Sequence, residues 1–271
     1  MPEQLRVAAA QFPCVLGDPG ANAERAAGMV GEAAARGARL VVLPECVNTG
    51  YDLDHIEAGA PGAESADGPT AQRLETVARS HDIAIVVGLL ERAGSALHSS
   101  ALVLDRTGVI GLHRKTIVTA AEEQHGLVPG DRAADPVRPA DLPFALAPVI
   151  CFEHGFPELA LDLALRGAGL LAITSAIRRG TEHLRELRSR ARAQDNGCYV
   201  VAANAVGGPF CGASLIIDPL GAALATAPTD DAAVIAEDVD ARAVERARSQ
   251  EPVLRRRRPA LWRDASDAPE A

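Results

Sequence analysis

The sequence predicts a layered α/β fold, and three observations predict it. Short, wholly apolar runs recur, as expected of strands buried on both faces. Helical stretches alternate with those runs, and hairpin-like pairs are added to them. No Pro/Gly-rich linker divides the chain, so residues 1–271 are expected to form one domain, with a tail from about residue 250.

Taken in order, Val7 to Gln11 reads as a strand and Ala21 to Ala35 as an alanine-rich helix ended near Gly37. Leu40-Val41-Val42-Leu43 has no polar residue to turn toward water, so it is a buried strand. Thr70 to Ser80 reads as a helix, and Ile83 to Gly88 as another buried strand. Ser99 to Leu104 and Val109 to His113 flank Asp105-Arg106-Thr107-Gly108, a turn sequence, and form a hairpin.

The second half repeats the style. Phe144 to Cys151 is a strand. Pro157 to Arg166 is a helix with proline in its first turn, Glu158 facing the positive dipole end, and Gly167 as its stop. Leu170 to Thr174 is a strand. Thr181 is positioned to cap a helix through Asn196, with Leu184, Leu187 and Ala191 on one face and Gly197 at its end. Tyr199 to Asn204, Ser214 to Asp218, Ala222 to Thr226 and Ala233 to Val239 supply the remaining strands. Gly59 to Pro69 and Val128 to Pro143 are long loops of the kind that often carry function.

The bulk numbers exclude several classes. The net charge of −9 disfavours a nucleic-acid partner, whose phosphates require a basic surface. Arg255 to Arg258 form a local basic run that reads as a solvated or subunit-contacting tail. No stretch reaches the roughly 18 apolar residues of a membrane span, and the first residues lack a secretion-signal layout. Five cysteines at 14, 46, 151, 198 and 211, without a Cys-x-x-Cys pair, suit free thiols in a reducing cytoplasm. The seven scattered histidines contain no metal-binding motif, so neither a metal nor another cofactor is expected.

Three residues stand out chemically. Lys115 is the only lysine among 27 cationic side chains, the rest being arginine. A lone ammonium kept at the end of an apolar strand suggests a site where a bulkier guanidinium would not serve. Cys151 sits where a buried strand gives way to a turn and then a helix, and a helix start favours a thiolate. The other cysteines read as core residues. Glu45 follows Leu40-Val41-Val42-Leu43-Pro44, where burial would raise its pKa toward the range of a general base.

A glutamate after Leu43-Pro44, a lysine after His113-Arg114 and a cysteine before Phe152-Glu153, in that order, resemble the nitrilase superfamily of carbon–nitrogen hydrolases. Further matches are Val7 to Gln11, Pro129-Gly130-Asp131, and Arg190 to Asn196 leading into Tyr199 and Asn204, so the resemblance runs from about Arg6 to about Val239. It implies a four-layer α-β-β-α sandwich and a homodimer or higher homo-oligomer. It also implies a hydrolase of a small amide or N-carbamoyl compound, acting through a thioester. In that scheme Cys151 is the nucleophile, Glu45 the general base, and Lys115 with the Phe152 N–H the oxyanion donors. A second glutamate orients substrate and lysine; counting back from Pro129-Gly130 favours Glu123, with the adjacent Glu122 left open. The segment from Thr174 to Gly180 lines the family's pocket, which brings in Ser175, and Arg178 or Arg179 as an anchor for a substrate carboxylate. Tyr51, after the Glu45 loop, borders the same pocket.

Glu153 departs from the aspartate of many amidase-type members and leans toward true nitrilases, which act on nitriles. Phe156-Pro157-Glu158 leans the other way. The chain has no Gly-x-Ser-x-Gly for a serine hydrolase, and Gly167-Ala168-Gly169 precedes a strand instead of following one, against a dinucleotide site. A catalytically silent member that binds a small molecule or scaffolds a partner is the remaining alternative, and it has no need of all three residues.

Overall fold

A computed structural model describes residues 4–259. The first half runs β1 (Gln4–Gln11), α1 (Pro19–Ala35), β2 (Ala38–Val42), α2 (Leu53–Glu57), α3 (Pro69–His81), β3 (Ala84–Ala93), β4 (Ala96–Asp105), β5 (Gly108–Arg114) and α4 (Ala120–Gln124). The second half runs β6 (Ala145–Ile150), a 3-10 turn (Cys151–Gly155), α5 (Pro157–Leu165), β7 (Ala168–Ser175), α6 (Glu182–Asn196) and β8 (Tyr199–Asn204). It closes with β9 (Val206–Gly207), β10 (Phe210–Cys211), β11 (Leu215–Ile217), β12 (Ala223–Thr226), β13 (Ala233–Asp240), α7 (Ala241–Gln250) and α8 (Val253–Arg256).

Two sheets carry the architecture. One has the order β13-β1-β2-β3-β4-β5 and the other β12-β11-β8-β7-β6, with parallel pairing at the centre of each. Strand residues alternate faces, and here both faces are apolar. Val7, Ala9, Leu40 and Val42 meet Leu146, Leu170, Ala172 and Val201 of the other sheet. The intervening Ala8, Ala10 and Val41 face Ala26, Val30 and Leu74 of α1 and α3. On the far side, Val149, Leu171 and Ile173 pack with Leu159 and Leu163 of α5 and Ala193 of α6. The result is four layers, helix, sheet, sheet and helix. No helix among the described residues is long and apolar enough to cross a membrane.

Differences from the sequence reading have local causes. β3 outruns its apolar stretch because Glu91 and Arg92 pair with His98 and Leu97 of β4. The short helices α2 and α4 are little more than a turn each and so repeat no apolar face, while α7 is an amphipathic helix that buries Val244 and Ala247 just before the expected tail. In α6 the face bearing Leu184, Leu187 and Ala191 points outward, with Leu187 64% exposed. The buried positions are Arg185, Ser189, Arg192, Ala193 and Asn196, because that face packs against the 3-10 turn and its buried His154 as well as against β8. Thr181 makes no side-chain cap; its hydroxyl donates to the Arg178 carbonyl instead. The basic run Arg255 to Arg258 is exposed, and residues 260–271 of the expected tail lie outside the described residues.

Gly88 is the close approach that aims the end of β2. Its N–H donates to the Pro44 carbonyl at 3.0 Å and its carbonyl accepts from Val47. A Cβ at this position would lie 2.5 Å from the Glu45 Cα and 2.7 Å from the Pro44 oxygen. Both obstacles are backbone, so the segment carrying Glu45 would have to move. Gly88→Ala is therefore expected to cost about 1–3 kcal/mol of stability and to lower turnover under conditions where the variant is still folded. Urea denaturation with kcat measured alongside tests this.

Candidate active site

Three strand ends converge. Glu45 lies just past β2, Lys115 follows β5, and Cys151 follows β6, so the two sheets contribute jointly. Backbone bonds fix the first two approaches: Glu45 N–H to the Ser175 carbonyl, Lys115 N–H to Ser99, and Gly130 N–H to Lys115. Cys151 has φ +43°, a left-handed conformation that is costly for a side chain with a Cβ. Such strain at a strand-to-turn junction is typical of functional positions.

Charges are packed tightly here. Lys115 Nζ donates to Glu45 Oε1 at 3.2 Å and to Glu122 Oε1 at 2.6 Å, and all three side chains are buried. Ser99 Oγ donates to the same Glu45 oxygen at 2.8 Å. The other oxygen, Glu45 Oε2, is buried without a hydrogen-bond partner among the described residues. Burial holds the Glu45 carboxyl above its ordinary value, with the negative Glu122 adding to this against the pull of Lys115. Burial works against the Lys115 charge, but Glu45, the Cys151 sulfur and Glu122 outweigh it, so the ammonium keeps its proton more firmly than a free lysine. Glu122 is also resisted by burial, yet Lys115 holds it below the usual range.

Glu122, and not Glu123, is the second glutamate at the lysine. Glu123 is exposed, one residue round the helix. Thr119 and Glu122 form a capping box: Thr119 Oγ accepts from the Glu122 N–H and Glu122 Oε2 from the Thr119 N–H. That leaves Oε1 for Lys115 and for the Tyr51 hydroxyl, which donates to it at 2.9 Å. The Thr-x-x-Glu signature was present in the sequence and selects Glu122.

The thiol differs from the helix-start expectation. Burial and then the charge of Glu45 push Cys151 up, against help from Lys115 and the Ala176 N–H. The 3-10 turn separates Cys151 from α5, so no long helix begins at the sulfur. Burial and the neighbouring Glu45 charge thus favour the neutral thiol at Cys151.

A cavity of about 230 Å³ opens onto Glu45, with Tyr51, Phe210, Cys14 and Leu16 among its walls. Cys14 is half-buried, packing against the core while also lining the cavity, and Cys46, Cys198 and Cys211 are fully buried; all five cysteines are free. Phe152 is half-buried with its ring edge-on to Phe156. Ser175 is fully buried and donates its hydroxyl to the Ala203 carbonyl, so it braces β7 against β8 instead of facing the cavity. Arg178 is exposed, with its backbone bridged to Phe210, and Arg179 pairs with Asp230. Neither lines the cavity.

Comparison with known proteins gives the family and the fold. The family model described as carbon-nitrogen hydrolase matches residues 6–249. The chain belongs to the carbon–nitrogen hydrolase family. Among curated carbon–nitrogen hydrolases it is 34% identical to a protein named nitrilase from Pyrococcus abyssi, over 87% of this chain and 90% of that one. It is 30% identical to an omega-amidase of Homo sapiens, over 89% and 91%. Among solved structures, the amidase from Nesterenkonia sp. AN1 in complex with acrylamide superposes with a TM-score of 0.83 at 24% identity, covering 96% of both chains. A carbon-nitrogen hydrolase from Helicobacter pylori gives 0.81 at 23% identity, covering 96% of this chain and 97% of that one.

One brace in this carbon–nitrogen hydrolase is invisible to motif reading. Glu153, fully buried, accepts from the N–H of Ile150 and of Thr116, the Thr116 hydroxyl and His113 Nε2, all at 2.7–2.8 Å. It thereby ties the residues flanking Lys115 to those flanking Cys151. Burial opposes its charge, but the hydrogen bond from His113 and the rest of this set hold its carboxyl below the ordinary value. Glu153→Gln turns one acceptor into a donor facing donors, and should cost about 2–4 kcal/mol near neutral pH. A lowered folded pKa stabilises above the unfolded value and is lost as pH falls through the folded one. The deficit of the variant should therefore hold above about pH 5 and shrink below about pH 4, as read by urea unfolding across pH.

Proposed function

We propose that the protein hydrolyses the C–N bond of a small carboxamide or N-carbamoyl compound through a thioester on Cys151. The observation that carries this reading is the divided Glu45 carboxylate. One oxygen is tied to Lys115 and Ser99, the other is buried without a partner among the described residues, and Glu45 both lines the cavity and adds to the raised pKa of the Cys151 thiol.

The steps follow from these environments. A carbonyl carbon in the cavity is attacked by the Cys151 sulfur as its proton passes to Glu45, whose raised pKa makes it a competent acceptor. The carbonyl oxygen gathers negative charge, which Lys115 and the Phe152 N–H stabilise. Because Lys115 is firmly protonated, it is a donor throughout and not the base. Glu45 returns the proton to nitrogen, the C–N bond breaks, and ammonia or an amine leaves a thioester. Water enters, Glu45 takes its proton, and the acid departs as the thiol is restored. Glu122 fixes the ammonium between two carboxylates so that its position does not drift as charge develops.

A second reading, attack of the same thiol on a nitrile carbon, is favoured by the relative named nitrilase and by Glu153. A matched nitrile and amide separate the two: ammonia released from the amide alone supports the amidase.

Cys151→Ala is expected to abolish ammonia release while leaving thermal unfolding near that of the wild type. Lys115→Arg should lose at least about 10²-fold in kcat, since the guanidinium does not fit between Glu45 and Glu122 as the ammonium does. Glu45 must be ionised to act, so its raised pKa sets an acid limb of kcat/KM above the ordinary carboxylate range. Removing the negative neighbour in Glu122→Gln should move that limb to lower pH. A limb that stays put in the pH–rate profile would remove Glu45 as the titrating base.

A further inference from the structure

We infer that the cavity beside Glu45 selects compact, uncharged amides and rejects amides that carry a carboxylate; this rests on the amidase reading above. Size comes first. At about 230 Å³ the cavity is smaller than the roughly 300–1,000 Å³ of pockets that take drug-sized ligands.

Charge comes second. Tyr51 and Phe210 meet edge to face, with centroids 6.3 Å apart, and Cys14, Leu16 and Pro209 extend the apolar wall. The only ionisable carboxyls in the lining are Glu45 and Asp52, and no lysine, arginine or histidine belongs to it. Asp52 turns an oxygen to the His55 N–H as a helix cap, and the Tyr51 hydroxyl is already committed to Glu122.

The cations around the cavity do not reach its wall, Arg25 included, whose charge is felt by Cys14 from outside the lining. Lys115 is shared by two glutamates. Arg179 is exposed and paired with Asp230, and Arg178 is exposed. Arg185 is buried on α6 with its Nε and Nη1 unpartnered among the described residues, but it takes no part in the cavity wall. A carboxylate on the substrate would thus be desolvated beside two acidic residues with no counter-ion, which is strongly unfavourable. An uncharged amide meets no such penalty.

Succinamide and succinamate test this cleanly, since they match in size and differ in one charge. Ammonia release near neutral pH should give a kcat/KM at least about tenfold higher for succinamide, beyond the factor from its two equivalent amides. Leu16→Lys, at a half-exposed wall position (52%), should narrow that ratio, chiefly through the KM of succinamate. Equal or faster turnover of succinamate by the wild type, or a ratio unmoved by Leu16→Lys, would overturn the inference and leave the amidase reading standing. Turnover of neither compound, nor of any smaller neutral amide, would overturn both.

Discussion

The structure depends on one buried ammonium held between two carboxylates. Lys115, Glu45 and Glu122 are each almost wholly removed from water, and each ion loses several kcal/mol of solvation there. A contact between opposite charges at about 4 Å returns about 4 kcal/mol at an effective dielectric near 20. Such a cluster is therefore a poor device for stability, and an apolar replacement of similar volume would pack at least as well. Its retention makes sense as chemistry. Two negative groups on one positive group keep the lysine protonated and leave one carboxylate, Glu45, more basic than usual.

Holding that cluster in register is what the surrounding fold does. β2 and β5 belong to one sheet and β6 to the other, so a slip between layers would separate the acid and the ammonium from the sulfur. The apolar interface between the sheets resists slipping but carries no direction of its own. Directional ties supply it. Glu153 binds the Thr116 backbone and Ile150 at once, the Glu45 N–H reaches across to Ser175 at 3.4 Å, and Gly88 admits the backbone around Glu45 at a distance no side chain would tolerate.

Much of this was legible in the residues. Period-two alternation is absent from Leu40 to Leu43 and Ile83 to Gly88, and both proved to be central strands with two apolar faces. The turn and stop residues Gly37, Gly167 and Gly197 do sit at positive φ just past helix ends. Strand ends bearing Glu45, Lys115 and Cys151 were visible as polar residues following apolar runs. What stayed hidden depends on neighbours distant in sequence. The inward face of α6 is polar because it meets the 3-10 turn, so the usual rule that leucines point inward misleads there. Ser175 and Arg178 lie on the segment that the family resemblance selects, but β8 and Phe210 draw them into structural contacts. The choice between Glu122 and Glu123, by contrast, had a local signal, the Thr119-x-x-Glu122 capping box, legible in the sequence itself.

The raised thiol of Cys151 carries the last step of the argument. A nucleophile stored as a thiolate would lie beside the negative Glu45 and be repelled by it, and burial adds to that penalty. Keeping the proton on sulfur until an electrophile arrives avoids both costs. In the proposed reaction, the proton that leaves as sulfur bonds to carbon would neutralise Glu45 just when negative charge moves to the carbonyl oxygen and toward Lys115. The pocket begins and ends that transfer with the same net charge, which is the arrangement a water-poor cavity tolerates best. The left-handed backbone at Cys151 fits the same logic, because an uncharged sulfur has no ion pair to orient it and its direction has to come from the main chain.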